Sequence, residues 1–141
     1  QLLYVLARAR LAAGTLTGPV VGTVMSNLGL ELALRELGVD FLRAAVGDRH
    51  VLQMLRAQSG VLGGESSGHL LVLDKATTGD GLIVALQVLA VMKATGKSLA
   101  ELAAGMQRFP QQLINVRVAG RFDAAREPRV AAAIERVEKS L

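Results

Sequence analysis

Short, continuously apolar segments alternate with helix-period segments along this chain. That alternation constrains the fold more than any other feature. Residues 19–25 (PVVGTVM), 39–46 (VDFLRAAV), 61–65 (VLGGE), 69–74 (HLLVLD) and 112–118 (QLINVRV) read as strands. Strands apolar at successive positions have both faces covered, which is the condition of a largely parallel sheet between helices. The expected fold class is therefore α/β: a three-layer α/β/α domain with a mostly parallel sheet. Sites in such domains gather in loops at the carboxyl ends of strands. Both polar corners of the chain, GDRH (47–50) and GESSGH (64–69), follow strands.

The intervening segments carry helix punctuation. Ser26 or Asn27 can cap a helix with Leu30, Leu34 and Leu37 on its inner face and Gly38 as its stop. Residues 47–50 read as a loop opening a helix that runs to about Gln58. TTGDG (77–81) precedes a helix apolar nearly all round, through Leu82, Ile83, Ala85, Leu86, Val88, Leu89 and Val91. Such a helix is expected to be buried on most sides, with Thr78 and Asp80 as its caps. Gly96 ends it, and Ser98 with Glu101 makes a capping box for the next helix.

Two helices stand apart in this reading. Leu2, Leu3, Leu6, Ala9 and Ala13 recur at helical spacing with no capping residue before them. Pro128 opens a last helix whose stripe is Val130, Ile134, Val137 and Leu141, after a linker over 120–126. Both are expected to belong to neighbouring parts of a longer protein: 1–16 to a preceding domain, 17–119 to the α/β/α domain, and 120–141 to a linker and following helix.

Composition removes several function classes. The chain has no cysteine, which excludes thiolate metal sites and cysteine nucleophiles. Its net charge is +4, but the basic residues are scattered and only three Phe and one Tyr are present to stack on bases, so no nucleic-acid partner is expected. No apolar run approaches the roughly 20 residues a membrane-spanning helix needs.

The densest chemistry lies in Gly64–His69. Its letters match G-x-S-x-G, but the residues after it are strand-like and no histidine follows at a distance from which it could return as a triad base. TGKS (95–98) closes like a phosphate-binding loop but has Val91 where the first glycine is needed. The aspartates lack the spacing of a cation loop, so no metal site is expected. What remains is a polyol reader. A carboxylate accepts from two adjacent hydroxyls, and a serine and an imidazole add donor and acceptor groups. Glu65, Ser67 and His69 alternate, so they project to one side if the segment stays extended. The alternative is a Gly-rich hairpin with solvated polar residues.

The segment GGESSGH resembles the G-E-x-S-G-H sugar-binding loop of the α-D-phosphohexomutase superfamily. The surrounding segments VVGTVMSNLGLE, VGDRHVLQML, LGGESSGHLLVLDKATTGDGLIVALQVL and FPQQLINVRV are similar, in order, to its bacterial amino-sugar branch. The resemblance implies the third of four domains, and interconversion of glucosamine 6-phosphate and glucosamine 1-phosphate through a phosphoserine and a bisphosphorylated sugar. It implies that the phosphoserine and the Mg²⁺-binding loop lie outside this chain, which alone is expected to be inactive. Glu65 and Ser67 are implied to contact sugar hydroxyls, and Gly47, Asp48 and Arg49 to support them, with Arg49 a candidate partner for Glu65 or a phosphate. His69 is implied to orient the loop or approach the substrate, with proton transfer as a further candidate role. The implied partners are a phosphorylated amino sugar and the remaining domains of the same protein, with a homodimer as a candidate assembly and the cytoplasm as the compartment. A phosphomannomutase or phosphoglucomutase, or a stand-alone sugar-binding module, remains the alternative.

Overall fold

A computed structural model describes residues 1–120, 123 and 126–140. The chain forms two compact units, residues 1–111 and 112–141.

The first unit contains α1 (Leu2–Ala12), β1 (Val20–Thr23), α2 (Leu28–Glu36), β2 (Phe41–Ala44), α3 (Asp48–Ala57), β3 (Leu62–Gly64), β4 (Leu70–Val72), α4 (Gly81–Thr95) and α5 (Leu99–Ala103). The four strands form one sheet in the order β2-β1-β3-β4. β1 runs parallel to β2 and β3, while β3 and β4 are antiparallel. Successive strand residues point to opposite faces, and the core divides accordingly. Val20, Leu62, Leu70 and Val72 pack with α1, α2 and α4 on one face. Val21 and Leu71 pack with Val51 and Leu55 of α3 on the other. The result is the expected α/β/α layering with a mostly parallel sheet.

The helix ends follow their punctuation. Asn27 caps α2 by accepting from the Gly29 N–H at 3.1 Å. Asp80 caps α4 through the Leu82 and Ile83 N–H groups at 2.8 and 3.0 Å. Ser98 and Glu101 form the capping box reciprocally. Their hydrogen bonds hold the Glu101 carboxyl below its ordinary pKa.

α1 packs inside the first unit, with Leu3 through Ala7 all buried. Local expectations are corrected. Residues 47–50 are not a loop, because α3 begins at Asp48 and Gly47 is its N-cap. α4 is not buried on most sides. Val84 and Val88 are buried, but Leu82 is 79% exposed and Leu86 and Leu89 are also open. An all-round apolar helix hides which side is covered, and here α1 and β4 cover only one.

In the second unit, residues 112–118 form no strand. Leu113, Ile114, Val116 and Val118 are exposed. A strand is a paired object, and no neighbour pairs with this segment among the described residues. α6 (Pro128–Glu138) begins at Pro128 as expected, yet none of its residues is buried. The last position of its stripe, Leu141, and positions 121, 122, 124 and 125 of the linker lie outside the described residues.

Candidate sugar-phosphate site

The site is built on the β3–β4 hairpin. Gly64 pairs with Leu70, and the Glu65 N–H donates to the His69 carbonyl at 2.9 Å. Beyond that pair the chain reverses, with the Gly68 N–H donating to the Glu65 carbonyl at 3.1 Å. That bond closes a four-residue turn over 65–68. The segment is therefore not extended, and Glu65, Ser67 and His69 do not project together. The turn sorts them: Glu65 and Ser66 line a cleft of about 390 Å³, whereas Ser67 and His69 line a concavity of about 420 Å³ shared with Gly79 and Asp80.

The first turn of α3 meets this hairpin. Gly47 has φ of 121°, in the half of backbone space that favours glycine. Its N–H donates to Glu65 Oε1 at 2.9 Å. This bond fixes the carboxylate and satisfies an N–H at the start of a helix, where negative charge is favoured. Asp48 Oδ1 accepts from the Arg49 N–H at 2.7 Å. Its Oδ2 stands 3.5 Å from His69 Nε2. The two polar corners are thus one constellation: Gly47, Asp48, Glu65 and His69. Arg49 is exposed, and the partner of Glu65 is the Gly47 amide instead. Ser67 is exposed at the turn, free to meet a ligand.

Several contributions escaped the sequence reading. Asn27 is more than a cap. Its Nδ2 donates to the Phe109 carbonyl at 2.8 Å and its Oδ1 accepts from the Phe109 N–H at 3.0 Å. Gln111 Nε2 donates to the Met25 carbonyl at 3.1 Å. Together these bonds draw residues 108–111 to the edge of the Glu65 cleft, where Arg108 and Gln111 join Ser26, Asn27, Glu65 and Ser66. Arg43 locks the loop after β1, donating to the Ser26 carbonyl at 2.9 Å and to Glu31 Oε2 at 2.9 and 3.0 Å. An arginine inside an apolar strand was the available signal. Gly79 faces the His69 ring, and nothing in its local sequence marks that contact.

Below the hairpin, Arg10 pairs with Asp74 at 2.8 Å, joining α1 to the end of β4. Burial raises the Asp74 carboxyl pKa. The hydrogen bond and charge of Arg10, with Lys75 added, outweigh this and hold it below its ordinary 3.8.

The chain thus has an open α/β/α sheet with an acidic, glycine-flanked hairpin beside a helix start. Residues 1–109 match the family described as phosphoglucomutase/phosphomannomutase, alpha/beta/alpha domain III, and the chain belongs to that family. It is 54% identical over 141 residues to the phosphoglucosamine mutase of Marinobacter nauticus, covering all of this chain and 32% of that protein. It is 64% identical over 115 residues to the phosphoglucosamine mutase of Alkalilimnicola ehrlichii, covering 82% of this chain and 26% of that protein. The chain thus spans about a third or less of these relatives. The fold is similar to that of Aspergillus fumigatus N-acetylphosphoglucosamine mutase, solved with GlcNAc-6P and magnesium: TM-score 0.73, 19% identity, 99% of this chain and 37% of that one.

Proposed function

We propose that this chain is the sugar-reading domain of a phosphoglucosamine mutase. The full-length protein would interconvert glucosamine 6-phosphate and glucosamine 1-phosphate. A phosphoserine donates its phosphoryl group to a free sugar hydroxyl, the bisphosphorylated sugar turns over, and its other phosphoryl group returns to the serine. That serine lies outside this chain. The match over the whole of this chain, and about a third of the relative, to a protein of that name supports the reading.

The observation that carries the assignment of residues is the Gly47–Glu65 bond. It commits one carboxylate oxygen to the protein and leaves the other to accept from a sugar hydroxyl. Ser67 adds a hydroxyl that donates or accepts, and His69 adds an imidazole. Asp48 and Arg49 support the set from the first turn of α3. Because the substrate binds in two opposite orientations, a short polar set suits it better than a deep, shape-specific pocket.

Magnesium finds no ligand set here: among the described residues, no three His, Asp or Glu side chains are grouped to hold a metal ion. We assign it to parts of the protein outside this chain. The other proposed partners are the remaining domains of the same protein and a second copy in a homodimer. The proposed compartment is the cytoplasm. Among the described residues, no helix is long and apolar enough to cross a membrane.

The test is Glu65→Gln in the full-length enzyme. Loss of one charged hydrogen bond to substrate, about 1.5–3 kcal/mol, predicts a fall in kcat/KM of roughly 10–100-fold. Unchanged kcat/KM would remove Glu65 from substrate recognition. Activity confined to glucose or mannose phosphates would replace the amino-sugar assignment.

A further inference from the structure

We infer that Gly79 and Asp48 are positioning residues for His69: together they fix its imidazole so that Nε2 carries the ring proton and Nδ1 is left as the acceptor. The inference rests on the sugar-reading role proposed for the hairpin and assigns each ring nitrogen a task within it.

Two observations converge on the ring. The first is steric. A Cβ at position 79 would overlap His69 Nε2 and lie 2.6 Å from its Cδ2. The ring therefore rests directly on the backbone before α4, and glycine leaves the floor that permits this. The second is electrostatic. Asp48 Oδ2 lies 3.5 Å from the same nitrogen, and a carboxylate there favours a proton on Nε2 over a lone pair. Asp80, the other acid beside this concavity, accepts at its Oδ1 from the Leu82 and Ile83 N–H groups.

The chemical consequence follows from the two nitrogens being distinct. In a neutral imidazole one nitrogen donates and the other accepts. With the proton on Nε2, Nδ1 is the nitrogen that accepts from a hydroxyl O–H of the sugar. The glycine of the TTGDG segment thus acts on the site at one remove, through a ring it does not bond to.

The test uses the ¹⁵N-labelled 141-residue chain in alkaline buffer. Long-range ¹H–¹⁵N correlations are expected to show His69 protonated on Nε2, with an NOE from its Hδ2 to the Gly79 Hα protons. Asp48→Ala is expected to weaken that NOE at least twofold and to shift both ring nitrogens. Asp48→Asn, which keeps the shape, separates charge from packing, and Gly79→Ala is expected to abolish the NOE. A ring protonated on Nδ1, an absent NOE in the unaltered chain, or ring signals unmoved by Asp48→Ala would overturn the positioning role. None of these readouts needs a ligand. A ring held as described, with no response of the hairpin to glucosamine 1-phosphate, would count against sugar reading and leave the positioning intact.

Discussion

Helices α1 and α6 carry the same kind of apolar stripe and meet opposite fates. α1 buries five consecutive residues, Leu3 to Ala7, among α2, α4, α5 and β3. α6 buries none, and Ile134 and Val137 stay open, 47% and 57% exposed. Periodicity states which face of a helix is apolar. It does not state whether a partner exists to cover it. The difference lies around the stripe: α1 is apolar on several sides, as a helix inside a layer must be, whereas α6 sets Arg129, Glu135, Arg136 and Glu138 around a narrow one.

The largest expected effect tests that contrast directly. Leu6→Ala in α1 should lower unfolding stability by about 2–5 kcal/mol, read from urea denaturation. Ile134→Ala in α6 should stay within about 0.5 kcal/mol. Comparable losses at the two positions would break the comparison.

Next comes Arg10→Met, which removes the link between α1 and β4 while keeping much of the arginine's apolar bulk. Leaving Asp74 without its main partner should cost about 1–3 kcal/mol near neutral pH. The sign with pH follows from the depressed Asp74 pKa. Its contribution is fully present above the unfolded value near 3.8 and is lost as pH falls through the lower folded value. The unaltered chain should therefore lose this stability below about pH 4, and Arg10→Met should flatten that part of its stability profile. An equally steep acid limb in both proteins would contradict the pairing.

A smaller effect is expected at the hairpin. Glu65→Ala should reduce stability by about 0.5–1.5 kcal/mol and speed hydrogen exchange at the Gly47 amide. Unaltered exchange there would mean that the bond between the two corners is not maintained in solution. The smallest effect is Leu86→Gln on the open side of α4, expected within about 0.5 kcal/mol. A loss of several kcal/mol would show that this side is covered after all.

Legibility in the sequence followed the range of the interaction. The α/β/α class, α2 with a cap at Ser26 or Asn27, the capping box of α5 and the glycine stop of α4 were readable. The polar composition of the hairpin left two readings open, a polyol reader and a solvated glycine-rich hairpin. Its arrangement was not readable, because one turn bond between Gly68 and Glu65 decides that Ser67 and Glu65 line different hollows. Arg49 was a candidate partner for Glu65 or for a phosphate; the partner of Glu65 in the fold is a backbone amide, which every residue but proline carries and no sequence pattern marks. The strand expected over 112–118 failed for the reason that α6 is bare: a pattern fit for pairing needs something to pair with.

The central claim is that the hairpin and the first turn of α3 read the sugar. An amide NMR titration of the chain with glucosamine 1-phosphate, and separately with inorganic phosphate, tests it most directly. With the remaining substrate contacts assigned by this proposal to other domains, binding is expected to be weak, with Kd on the order of millimolar, about 4 kcal/mol. The account predicts shifts confined to residues 63–69 and 47–49 that appear with the sugar phosphate and not with phosphate. A well-dispersed spectrum unchanged at those residues up to about ten times that Kd, or the same shifts with phosphate alone, would contradict it.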